Sequence, residues 1–287
     1  ALVLALFPGI AHAFKLESDT VVLNDTLSNP SFTSVTFRQT YDTPPVVLPL
    51  ATQSGGQPAA LRIRNVTTTG FEIAQTEATS LDGGHVSMTI DYVAVEPGVH
   101  TFPDGTVLEA GKISTTATQA GFGPPFGGWE TVGLAGGFPS TPAVVAHLQS
   151  MANETGNPPG DPSVPFLSTA VRNVDGAGFE AAIERSESPA GAVTSDETIG
   201  YLAIAGGVTG TFDDNAGSPV DYEGLVTPNN IEGWDDGCFG NGFSGAYGSP
   251  PQVVATMNTR SSEDGGWLRR CSLSASAIGL RVDEDVE

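Results

Sequence analysis

The 287-residue chain carries 33 Asp and Glu against 11 Lys and Arg, a net charge of −22, and this surplus excludes phosphate backbones as partners. With 36 Gly and 21 Pro no long helical period survives, so short strands joined by turns are expected. No Gly-x-Ser-x-Gly elbow, His-Glu-x-x-His pair or phosphate loop occurs, and no enzyme active site is expected.

Residues Ala1 to Ala13 are apolar and close on Ala11-His12-Ala13, the small-x-small pattern of a signal peptidase site. A secretory signal remnant is the favoured reading of residues 1–13, and a buried N-terminal strand is the alternative. The stretch is too short to span a bilayer, and no later segment is apolar enough for an anchor. A secreted or cell-surface protein follows.

From Phe14 onward the chain repeats itself. Phe37-x-x-x-Tyr41-x-x-Pro44-Pro45 returns as Leu134-x-x-x-Phe138-x-x-Thr141-Pro142 and as Phe243-x-x-x-Tyr247-x-x-Pro250-Pro251, each leading into a Val-rich run. Arg64-Asn65-Val66-x-x-x-Gly70-Phe71-Glu72 recurs letter for letter as Arg172-Asn173-Val174-x-x-x-Gly178-Phe179-Glu180. A closing strand, Ile90-x-Tyr92-x-Ala94, is matched by Ile199-x-Tyr201-x-Ala203. In the last copy Gly279-Leu280-Arg281-Val282 stands in the Gly-Phe-Glu position, with no closing strand after it. The reading is all-β: tandem antiparallel β-sandwich modules of about six strands, at 14–120 and 121–228, with a partial third at 229–287. Phe37 and Tyr41, an even number of residues apart, are expected on one face of an extended segment, and Phe71 and Ile73 in the core. The Asn of the recurring motif is expected to bond its own backbone, and its Gly to supply a positive φ. Residues 101–128 and 206–230 read as linkers or long loops, with strand character persisting at 106–113.

The order of these landmarks resembles the H-type lectin module, and is similar to the lectin-like copies of MshQ-type pilus-associated surface proteins. The resemblance covers most of the chain. It implies a six-stranded antiparallel sandwich, assembly as homo-oligomers, often trimers, and binding of N-acetylgalactosamine-type sugars between protomers. Tyr92 and Tyr201 stand where members of that family often have Trp.

Sugar recognition needs an apolar ring face and fixed hydrogen-bonding groups. The loop Leu81-Asp82-Gly83-Gly84-His85 supplies a carboxylate and an imidazole among glycines, so Asp82 and His85 are the candidate ligand-binding residues; a hairpin turn with incidental polar groups is the other reading. Trp129, Trp234 and Trp267 are either stacking platforms or half-buried packing. No cofactor is expected; surface calcium is left open at Asp213-Asp214-Asn215 and Asp235-Asp236, which lack EF-hand spacing. Arg64 and Arg172 are expected to hydrogen-bond within their modules. Cys238 and Cys271 are expected to form one disulfide. The chain is thus expected to be a non-catalytic adhesion protein meeting surface glycans or surface proteins, or else a structural spacer of a filamentous surface assembly.

Overall fold

The computed structural model describes residues 2–6, 14–28, 30–78, 81, 83–119, 128–154, 165–185, 191–214, 217–245, 247–261 and 265–284. Their regular secondary structure is strand apart from a single 3-10 turn at Trp234–Asp236. None of their helices is long and apolar enough to cross a membrane.

The chain begins with β1 (Leu2–Leu6), then β2 (Leu16–Leu23), β3 (Thr33–Thr36), β4 (Val46–Thr52), β5 (Ala59–Arg64), β6 (Gly70–Glu77) and β7 (Met88–Val95). Next come β8 (Gly98–Thr101), β9 (Val107–Thr115), β10 (Thr118–Gln119), β11 (Glu130–Gly133), β12 (Pro142–Leu148), β13 (Ser168–Asp175), β14 (Gly178–Glu184) and β15 (Glu197–Ala205). The last stretch holds β16 (Val208–Asp213), β17 (Pro219–Val226), β18 (Phe239–Gly242), β19 (Gln252–Val254), β20 (Trp267–Leu273) and β21 (Ala277–Asp283).

One pairing scheme recurs three times. In the first unit β7 lies between β2 and β4, antiparallel to both, and β6 lies between β3 and β5. In the second, β15 lies between β9 and β12, and β14 between β11 and β13. In the third, β21 lies between β18 and β20, and the place between β17 and β19 is taken by β1. The hairpins β8–β9 and β16–β17 therefore belong to the units that follow them. Among the described residues of the expected linkers, 107–115, 118–119, 208–213 and 219–226 are strands, and the junctions fall between Val95 and Gly98 and between Ala205 and Val208, upstream of 120 and 228.

Each unit has its own core between its two sheets. Phe71, Ile73, Met88, Ile90, Tyr92 and Ala94 fill the first, as the alternation of β7 predicts, and Phe179, Ile199 and Tyr201 stand at matching places in the second. The other face of β7 is buried as well. Val93 and Val95 join Val46 and Leu48, Val145 and Leu202 from the second unit, and Tyr222 and Val254 from the third in one shared core. β4 is accordingly buried at all seven positions, the continuous apolar run of a strand covered on both faces.

The units are joined in a closed ring. The Val47 amide donates to Gln149 Oε1 (2.8 Å) and Gln149 Nε2 donates to the Val47 carbonyl (2.7 Å), tying first to second. Asn258 makes the same two bonds with Val144, tying second to third (3.2 and 2.6 Å). The third unit returns to the first through parallel pairing of β20 with β4, through the Arg270–Asp91 ion pair, and through Trp267 Nε1 donating to the Ala59 carbonyl (3.0 Å).

Over their described residues the Phe-x-x-x-Tyr segments are loops, not extended strands, yet Phe37, Tyr41 and Tyr247 are buried and Phe243 half-buried, with the rings 5.1 Å apart for Phe37 and Tyr41 and 5.4 Å for Phe243 and Tyr247. A buried glutamate explains the loop in each unit. Backbone amides of Arg38, Gly136 and Ser244 donate to Glu17 (3.1 Å), Glu109 (2.7 Å) and Glu223 (2.9 Å). A carboxylate inside the fold is tolerable only with such partners.

The recurring Arg-Asn-x-x-x-x-Gly-Phe-Glu turn also differs from expectation. Asn65 and Asn173, not the glycines, hold the positive φ, at 51° each, and their Nδ2 groups donate to Glu72 (2.8 Å) and Glu180 (2.6 Å). Gly70 and Gly178 are required by space: a Cβ there would stand 2.2 and 2.3 Å from the carbonyl oxygens of Val35 and Val132. Cys238 and Cys271 form the expected disulfide, linking the start of β18 to the bulge of β20.

Candidate functional site

Asp82 and Asn215 lie outside the described residues. His85 points inward: it is 1 % exposed, its Nδ1 is 2.9 Å from the Val86 carbonyl, and burial pushes its imidazole below the usual value, with Arg269 adding to the effect.

The expected pairing of the recurring arginines is present. Arg64 Nε donates to Glu72 and stacks 3.7 Å over the Phe32 ring; Arg172 repeats this with Glu180 and the Trp129 ring at 4.1 Å. Trp129 therefore packs under a guanidinium, and Trp267 is 8 % exposed against Phe166. Among the described residues no group of three or more His, Cys, Asp or Glu is placed to hold a metal ion.

The site that the sequence did not disclose is a cleft of about 290 Å³ between the second and third units. Its floor is the Glu184–Arg260 ion pair at 2.6 Å, with the Glu184 side chain 1 % exposed and Arg260 13 % exposed. Half-buried Ile231, Met257 and Val282 give aliphatic walls, and Thr169, Asn229, Thr259 and Ser261 give hydroxyl and amide groups. Thr169 Oγ1 is buried with no protein hydrogen-bond partner. Gly265 and Gly266, at φ 79° and 132°, bring the backbone against Glu184, since a Cβ on Gly265 would lie 2.7 Å from its Cδ. Nothing local marked either residue: Glu184 stands where the first unit has Thr76, and Arg260 reaches it from 76 residues away.

No protein-family model, no curated protein and no solved structure matches the chain.

A smaller cavity of about 60 Å³ is lined by matching stretches of all three units, including Leu50, His147, Thr256 and Trp267. Burial pushes His147 down to about 4, and the Arg62 charge adds to this. The unfolded imidazole titrates near 6.5, so below that pH the unfolded chain binds the extra proton and stability falls as pH drops from about 6.5 to about 4. The shift corresponds to about 3 kcal/mol. Urea unfolding at pH 7 and pH 4 should show wild type losing about 3 kcal/mol more than His147→Gln.

Proposed function

We propose that the chain is a non-catalytic secreted or cell-surface recognition protein that binds a hydroxyl-rich ligand, a glycan, in the cleft between its second and third units. The cleft carries this reading: it combines aliphatic walls, hydroxyl and amide groups, a fixed ion pair and an unpartnered Thr169 hydroxyl in about 290 Å³. The resemblance to H-type lectins points the same way, and the disulfide fits an oxidising compartment. The test is a glycan array followed by calorimetry on the full chain, with and without calcium. Sugar-competable binding that weakens about tenfold in Thr169→Val, the equivalent of about 1.4 kcal/mol for one lost hydrogen bond, supports the reading. Absence of binding by folded chain overturns it.

A structural subunit of a surface assembly is the second reading, favoured by the ring of contacts that makes the three units one block.

A further inference from the structure

One strand position recurs at each of the three junctions between units. Arg62 of β5 pairs with Ala74, Ala170 of β13 with Ala182, and Trp267 of β20 with Asp283. Those partners stand four residues after Gly70, Gly178 and Gly279, the matching glycines of the repeat, so Arg62, Ala170 and Trp267 hold the same place in the first, second and third units. Arg62 fills the junction of first with second, paired with Glu154 at 2.7 Å and lying over the Phe166 ring. Trp267 fills the junction of third with first, donating to the Ala59 carbonyl at 3.0 Å. Ala170 lines the cleft at the junction of second with third. The cleft is thus the space left by one small residue where the other two junctions carry a guanidinium and an indole. Close packing is the rule at such contacts, and an open one with polar walls is a place for a ligand.

The charges around that space have one sign in excess. Glu184 and Arg260 cancel as a pair, Glu232 and Glu284 add two carboxylates, and no further Lys or Arg is among the described residues that line the cleft. Glu232 is fixed through its backbone, whose carbonyl accepts from the Val282 amide (2.9 Å), while its side chain is exposed and makes no hydrogen bond or ion pair among the described residues. An acidic sugar would meet like charge here, and a protonated amine would meet opposite charge.

We infer that the glycan selected by this cleft is an amino sugar with a free, protonated amine, that Glu232 is the partner of the amine, and that Ala170 is the residue that admits the sugar. This rests on the cleft being the glycan site.

The probes are the methyl glycosides of glucose and of galactose in their 2-amino, 2-acetamido and 2-hydroxy forms, titrated calorimetrically into the full chain. In the series that fits, the amine should bind about fivefold tighter than either neutral form, the advantage of one exposed ion pair, and the gap should close at high salt. Glu232→Gln should remove the gap and leave the 2-hydroxy form unchanged. Ala170→Arg, which gives the second unit the side chain of the first, should abolish binding; Ala170→Leu, a smaller intrusion, takes its place if the arginine variant does not fold. Amines that bind no tighter than the neutral forms in both series overturn this inference and leave the glycan reading standing. Binding by none of the probes overturns this inference, and the glycan array then decides the broader reading. Undiminished binding by the folded Ala170 variant overturns both, because the sugar then sits elsewhere.

Discussion

Arg62→Met is expected to destabilise the protein by about 3–5 kcal/mol in chemical denaturation at pH 7. Arg62 on β5 and Glu154 of the second unit are paired at 2.7 Å with side chains only 2 % and 4 % exposed, and the guanidinium lies 4.5 Å over the Phe166 ring. Desolvation of both ions offsets most of their attraction, so the pair adds little net stability, but removing one partner strands the other. Burial already holds the Glu154 carboxyl above its ordinary value against the opposing pull of Arg62. Without Arg62 that carboxyl titrates higher still, and the cost of the substitution should shrink as pH is lowered toward 5. Arg62→Met/Glu154→Leu should recover most of the loss, because two apolar groups need no charge partner. A double variant as unstable as the single one would show that packing around Phe166, not charge, sets the cost.

Cys238→Ser/Cys271→Ser is expected to cost about 3–4 kcal/mol, from the unfolded-chain entropy that a loop of this length restores. The bond spans 33 residues and holds β18 to β20. Its loss should be felt beyond the third unit. Arg269 donates to the Thr52 carbonyl (3.3 Å), and the Gln53 amide donates to the Arg270 carbonyl (2.8 Å), so loosening β20 exposes the edge of β4. Hydrogen exchange should accordingly rise at Ala51 to Gln53 as well as along β18 and β21. A rise confined to β18 and β21 would mean that the β20–β4 junction holds without the disulfide.

The local repeat was legible because turn and core positions are read from neighbours in sequence. Phe71 and Ile73 alternate with Glu72, and the two copies of the Arg-Asn turn share every residue except the three before the Gly. What was not legible depends on distant groups. Glu17, Glu109 and Glu223 are three among 33 acidic residues, yet each is buried under a loop of its own unit. A signal existed in Leu16-Glu17-Ser18, Leu108-Glu109-Ala110 and Tyr222-Glu223-Gly224, a large apolar residue, Glu, then a small residue once per unit. The shared core was signalled by the unbroken run Val46 to Ala51, which marks a strand covered on both faces without saying by what. The cleft was beyond reach, since Arg260 and Glu184 become neighbours only when two units meet.

The pairing of β20 with β4 also has a consequence in time. As the chain is made, the β4 edge must wait for Arg269 and Arg270, 218 residues after Ala51 and Thr52 respectively. At roughly 5–20 residues per second that delay is on the order of 10–45 s. Through it an apolar strand keeps one row of backbone amides bare, so the nascent protein passes through a sticky interval that ends only when β20 arrives.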